Sequence, residues 1–459
     1  MKKTLSVFTV LLLFIINGCT KEEKSDPVSP SVEKKVASCT GCHTDYEHLK
    51  EVYTPDPPDP GGGGCGGETP HIEPYDRVYL GGEGYNQFLK TAHGRMPCTS
   101  CHNGNDNTAD KDSAHSNNFL KKPSYAAEEK CGGCHNAIVH RMQNSLHTMG
   151  WGQKNMLTLR SGLGYAQEGF ERLTALMKEG YDVNCAKCHA ACGDCHVNRP
   201  KAGGGGLYNG HYFGMPDMRN HCTTCHTSRG GHAFFGVASG TDPDVHLTKA
   251  SFTCVSCHKE EEIHSNGVTY NQRYDMPLLP KCEDCHSGVS NSNKYHKAHI
   301  NSFSCYTCHS QDYNNCGSCH IGGVGARIPS HLKFKIAINP IPATRPYKYA
   351  LVRQSLSAPD SWSNYGTSTL ADFEAAPTYK YTTPHNISKI TTRTGYENTD
   401  GNWVVYNNCT EGCHISKNSD GIYKNKELFL FNSDLEEWEK ASDQNITVDG
   451  KLPSSWGVQ

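Results

Sequence analysis

The sequence predicts a mostly irregular chain carrying short α-helices, with minor β-structure towards its C-terminal end, folded around something other than an aliphatic core. Three observations lead there. Only 36% of the 459 residues are hydrophobic, with 45 glycines among them or beside them, and the mean hydropathy is -0.63. The 24 cysteines and 26 histidines recur together in short motifs. After His320 the texture changes to Thr, Tyr, Asn and Pro. The length suffices for two or three ordinary domains, but Leu and Val are too few to fill them. So much sulfur and imidazole narrows the filling to disulfides, structural metals or a covalently held prosthetic group.

The N-terminus places the protein first. Lys2 and Lys3 precede an apolar run from Leu5 to Ile16 that ends at Ile16-Asn17-Gly18-Cys19, a signal peptide too short to span a membrane as a helix. Its end is similar to a lipobox, which makes Cys19 the lipidated first residue of the mature chain. An ordinary secretory signal with a chance cysteine is the competing reading. Thr20-Lys21-Glu22-Glu23-Lys24 resembles a surface-export signal of some Gram-negative lipoproteins. The expected location is therefore the outer membrane, facing the cell exterior, with a periplasm-facing lipoprotein as the alternative. Loss of Lys2 and Lys3 with the leader takes the formal charge from -3 to -5. No basic patch for nucleic acid is visible.

Residues 1–18 are thus read as signal peptide and 19–37 as a flexible tether punctuated by Pro27 and Pro30. Residues 38–67 hold a first Cys-His motif and a breaker segment, Pro55 to Gly67, that holds neither helix nor strand. Residues 68–320 form the main body, where motifs come every 7 to 54 residues. Its clearest helix is expected from about Tyr165 to Glu179, with Phe170, Leu173, Leu176 and Met177 on one stripe and Gly180 as its stop. Residues 321–459 are expected to wrap that body with loops and short strands such as Trp403 to Tyr406. Near the end, Ser433 to Glu436 has the form of a capping box before a small helix. A separate C-terminal domain is the competing reading.

Ten times the chain reads CxxCH. The triplets are Cys39, Cys42 and His43; Cys98, Cys101 and His102; Cys131, Cys134 and His135; Cys185, Cys188 and His189; Cys192, Cys195 and His196. They continue with Cys222, Cys225 and His226; Cys254, Cys257 and His258; Cys282, Cys285 and His286; Cys305, Cys308 and His309; Cys316, Cys319 and His320. This is the attachment signature of haem c. Two thiols must reach the two vinyl groups on one porphyrin edge, while the next residue brings its imidazole under the iron. A disulfide framework does not explain a histidine after every second cysteine, and zinc needs a second ligand pair. Cys409, Cys413 and His414 form an eleventh site with one extra residue, CxxxCH. Haem attachment there competes with a local disulfide between Cys409 and Cys413. Cys65 is left over, either an exposed thiol or a cross-link or thiolate ligand.

Eleven histidines are then proximal and fifteen remain. Candidate distal ligands are His93, His115, His147, His211, His221, His232, His246, His264, His296, His299, His331 and His385; His48, His71 and His140 complete the surplus. Bis-histidine ligation explains the excess and favours lower reduction potentials than His/Met ligation. His385 is expected to reach back to the last site. Cys185 and Cys192 lie seven residues apart, a span of at most about 25 Å when extended, so their haems must pack closely.

These motifs resemble those of the multihaem c-type cytochromes, strongly over residues 39–320 and weakly in the tail. The resemblance implies short helices and irregular chain organised around closely packed c-type haems, with electrons passing between a periplasmic donor and an outer acceptor. The expected partners are redox proteins or an extracellular electron acceptor, with the outer membrane reached through the lipid anchor. Propionates add negative charge, which favours cationic or metal-bearing partners. An envelope electron conduit competes with a multihaem reductase of a nitrogen or sulfur oxyanion, which needs one open iron, and with a filament-forming cytochrome. No CxxCK occurs, and the irregular Cys409 site is the suspect for an open iron. A mass spectrum of the matured holoprotein is expected to count eleven haems; a count of ten removes haem from Cys409.

Overall fold

The computed structural model describes residues 37–57, 71–237, 241–313, 334–354 and 358–458. The leader, Cys19, the tether, Cys65, the Cys316, Cys319 and His320 motif, and His331 lie outside the described residues.

Up to residue 313 the chain is a succession of short helices and turns, many beginning at or inside a motif. Cys39–His43, Cys98–His102 and Cys192–His196 are each a single helical turn or little more, and Gly132–Gln143 runs on from its motif. The spacing accounts for this. In a helical turn, residues i, i+3 and i+4 share one face, so both thiols and the imidazole of CxxCH leave the backbone on the same side. Such helices are too short to be stable alone and lean on local caps. Ser38 accepts a hydrogen bond from the Gly41 N–H at 2.9 Å, and Asp45 accepts one from the His48 N–H at 2.9 Å.

The helix expected over 165–179 is broken in two, Ala166–Glu171 and Ala175–Asn184. Thr174 starts the second by accepting from the Met177 N–H at 3.2 Å, the position Thr favours. Leu173, Met177 and Tyr181 are buried, whereas Leu176 is exposed, so the apolar stripe is narrower than the sequence suggested. Gly180 does not stop this helix. It lies within it, where a Cβ would come within 2.7–2.8 Å of the Tyr365 and Trp362 rings; the glycine permits close packing.

Conventional apolar cores lie in the C-terminal segment and where it meets the body, at Leu157, Leu173, Met177 and Tyr181 against Trp362, Leu370 and Phe373. Strands β1 (Phe334–Ile338), β2 (Tyr349–Gln354) and β3 (Tyr379–Tyr381) form an antiparallel sheet in the order β1-β2-β3. Alternation puts Ile336 and Leu351 on one face and Ala337 and Val352 on the other. All four are fully buried, beneath residues such as Phe429, Leu430 and Val448. Two smaller hairpins follow: β4 (Gly395–Glu397) pairs with β5 (Trp403–Val405), the expected strand, and β6 (Ser416–Lys417) pairs with β7 (Tyr423–Lys424). Ser433 caps nothing. The short turns there are closed one residue later, by Asp434 on the Phe431 N–H at 2.9 Å and Glu439 on the Glu436 N–H at 3.1 Å.

This segment is woven onto the motif-bearing body. Ser304 N–H donates to Tyr349 O and Tyr349 N–H to Ser302 O. Buried Arg160 donates to Ala376 O and Pro377 O, each at 3.1 Å. Buried Arg393 donates to Thr307 O and Asp312, each at 2.6 Å, and also to Ser310 O. Among the described residues no helix is long and apolar enough to cross a membrane. Arg393→Met strands two carbonyls and an acid beside the Cys305 motif and is expected to cost about 3 kcal/mol, read as a lower denaturant midpoint. A change under about 0.5 kcal/mol, the scale of an unimportant surface substitution, contradicts this reading.

Candidate functional site

Where the motif-bearing helices meet, they leave a continuous cavity of about 5190 Å³. An ordinary ligand pocket holds at most about 1,000 Å³. Both cysteines and the histidine of all nine described CxxCH motifs line it. Few aliphatic side chains are buried around it, in agreement with the low hydrophobic content of the body.

Ten motif histidines are described, and nine of them face a second imidazole. Ring centroids are 6.1 Å apart for His43 and His115, 6.0 Å for His102 and His211, and 5.8 Å for His135 and His93. The separation is 6.2 Å for His196 and His264, 6.2 Å for His226 and His147, and 6.2 Å for His258 and His385. It is 6.0 Å for His286 and His246, 5.9 Å for His309 and His296, and 6.0 Å for His414 and His299. The narrow spread has a simple meaning. Two metal–nitrogen bonds of about 2 Å on opposite sides of one ion hold the nitrogens about 4 Å apart and the ring centres about 6 Å apart.

The other ring nitrogen is pinned. Nδ1 meets a backbone carbonyl in His43 (Val78 O, 3.0 Å), His102 (Leu120 O, 2.8 Å), His196 (Gly214 O, 2.8 Å) and His309 (Ser388 O, 3.2 Å). It does so too in the facing rings of His147 (Ile263 O, 3.3 Å) and His299 (Tyr295 O, 2.8 Å). Each therefore donates from Nδ1 and keeps its Nε2 lone pair, the second-sphere arrangement typical of metal-bound histidine. Carboxylates take the same place twice. Both oxygens of Glu262 stand 2.9 Å from His258 Nδ1, and Asp244 stands 2.8 Å from His246 Nδ1. Burial lowers three of these imidazoles most, His211 and His385 to about 4 and His226 to about 3, and neighbouring histidines add to the effect.

The donor set fits haem. Among the described residues no three His, Cys, Asp or Glu groups converge as a bare ion requires. Paired imidazoles suffice only where the remaining ligands come from elsewhere, as an iron porphyrin brings them. The thiols that would bond the porphyrin edge line the same cavity in all nine described CxxCH motifs.

His385 thus stands opposite His258, not at the last site, where His299 faces His414 instead. At the Cys409 site, His414 thus has a facing imidazole. His221 and His232, along with His48, His71 and His140, face no motif histidine among the described residues. His221 is buried, takes the Asp217 N–H on Nδ1 at 2.8 Å, and packs edge-on to Tyr208. His71 pairs with Glu73. Sequence reasoning missed Glu262, Asp244 and Tyr181. A carboxylate four residues after His258 was a readable signal, since i and i+4 meet on a helical turn; Tyr181 carried none.

The motifs also follow one another in space. Thiols of Cys39 and Cys98, Cys222 and Cys254, and Cys282 and Cys305 are in hydrogen-bonding contact. Cys131 lies within electrostatic reach of Cys192 and Cys101, Cys195 of Cys222, and Cys257 of Cys285. The helix Lys294–His299 carries both His296 and His299 and so ties the Cys305 site to the Cys409 site. The Cys185 motif stands beside this row and meets it where Cys188 touches Cys225. No family model, curated protein or solved structure matches the chain.

Proposed function

We propose that the chain is a multihaem c-type cytochrome that carries electrons along a row of covalently attached, mostly bis-histidine haems at the cell envelope, in anaerobic or extracellular respiration. The supporting observation is the set of nine imidazole pairs held at one common separation, several of them with Nδ1 tied to a carbonyl or carboxylate. Haem supplies a reversible one-electron couple at each position. The chain's own residues do the rest. Thiols fix each porphyrin edge, and imidazoles cap both faces and keep other ligands off. The spatial succession from the Cys39 motif through those at Cys98, Cys131, Cys192, Cys222, Cys254, Cys282 and Cys305 to Cys409 gives electrons a path without a moving part. Cross-motif disulfides are the rival suggested by the touching thiols, but they leave the facing histidines without a purpose.

Purified holoprotein is expected to show the Soret and visible bands of low-spin c-type haem, with its motif thiols closed to alkylation after denaturation. A colourless sample whose thiols alkylate freely, or only after disulfide reduction, refutes the reading. Glu262 bears on the energetics. A carboxylate on His258 Nδ1 makes that ligand more basic and favours ferric iron. Glu262→Gln is expected to raise one component of the reductive titration by about 40 mV, the one-electron equivalent of roughly 1 kcal/mol. An unchanged titration contradicts that role.

A further inference from the structure

Two of the facing pairs tie a ring nitrogen to a carboxylate, and these two are neighbours. Glu262 stands 2.9 Å from His258 Nδ1 at the Cys254 motif, and Asp244 stands 2.8 Å from His246 Nδ1 at the Cys282 motif. Cys257 of the first motif lies within electrostatic reach of Cys285 of the second. The other tied rings meet neutral groups, carbonyls in most cases and the Ser292 hydroxyl in that of His296. At the Cys192 motif Glu260 stands 3.6 Å from His264 Nδ1 with its side chain 54% exposed, too far for a hydrogen bond. His189, the tenth described motif histidine, meets the Tyr181 hydroxyl 2.7 Å from its Nε2 in place of an imidazole and stands outside the comparison.

We propose, resting on the haem reading above, that Asp244 is a positioning residue shared by two sites, lowering the reduction potentials at the Cys254 and Cys282 motifs together and making them the lowest pair in the row. Asp244 is 3% exposed. One of its oxygens accepts the His246 N–H and the His246 Nδ1–H, each at 2.8 Å, and the other accepts the Ile387 N–H at 2.9 Å. All three contacts are N–H donors, so the carboxylate holds its negative charge without a proton of its own. Ile387 follows His385 by two residues, and His385 is the imidazole opposite His258. The Asp244 charge acts on His385 and on Cys257 as well. The same carboxylate thus touches the second imidazole of one site and is felt by the second imidazole and a thiol of the next.

A carboxylate on Nδ1 makes the imidazole a stronger donor, and a buried negative charge close by favours ferric over ferrous iron in a low-dielectric interior. Both effects have one sign. Positive charge is near but does not neutralise Asp244: Arg273 acts on His385 and Lys259 on Cys257, while among the described residues the ion-pair partner of Asp244 is His246. Glu262, with its side chain 13% exposed, adds to the effect at the Cys254 motif. The pair lies inside the row, between the Cys222 and Cys305 motifs. Asp244 therefore sets an uphill step there, with electrons resting preferentially on either side of it.

The test is potentiometry of the holoprotein followed by visible spectra, with the haem complement of each variant checked by mass. Asp244→Asn removes the charge and keeps an oxygen for His246. It is expected to shift two components to higher potential, the last two to be reduced, one of them the component that Glu262→Gln moves. A shift of one component or none, or a shift among the haems reduced first, would overturn the proposal while leaving the electron-conduit reading intact. Asp244→Asn weakens the hold on Ile387, and if it does not mature, Glu262→Gln decides: the component it moves must be among the two last reduced, and any other place in the order overturns the proposal. A wild-type sample that matures without haem defeats the earlier reading instead.

Discussion

Most motifs set two thiols and one imidazole on or beside a short helical turn, and nine of the ten described motif histidines find a second imidazole across a gap of about 6 Å. The rest of the structure follows from that constraint. A helix of five residues such as Cys39–His43 cannot hold itself together; it needs the cap from Ser38 and the carbonyl of Val78 on its histidine. The second imidazole nearly always comes from elsewhere in the chain. His93 serves the motif at Cys131, His147 the motif at Cys222, and His385 the motif at Cys254. These crossings knit the sequence into one body without an aliphatic interior.

The C-terminal segment solves a different problem. It owns the apolar packing around β1 and β2, shares a further apolar cluster with the body, and is joined to that body by buried polar side chains on both sides. Arg160, Arg393 and the carboxylate of Asp244 are buried. Asp244 does two jobs: it orients His246 at 2.8 Å and accepts the Ile387 N–H at 2.9 Å. The segment that carries His385 is thereby fastened to the start of the helix that carries His246.

Much of this was legible in the residues. CxxCH recurs at fixed spacing in the sequence, and the surplus of histidines gave reason to expect second imidazoles facing the motif histidines, as nine of the ten described ones have. The partners were not legible, because a facing pair is joined through folded space: His43 meets His115 and His102 meets His211, at separations no local pattern encodes. The broken helix at Thr174 and the glycine inside it at Gly180 escaped for a related reason. Periodicity marks an apolar face, but Trp362 and Tyr365, which set how closely that helix is approached, lie nearly two hundred residues on. Tyr181 looked like one more core aromatic, and only its position opposite His189 sets it apart.

The central claim is that facing imidazoles share an iron. X-ray absorption at the iron edge of the purified holoprotein measures the average shell directly. The account requires six nitrogen donors at about 2 Å, with sulfur absent from the first shell. A shell containing sulfur, or a metal signal from zinc with none from iron, would contradict it.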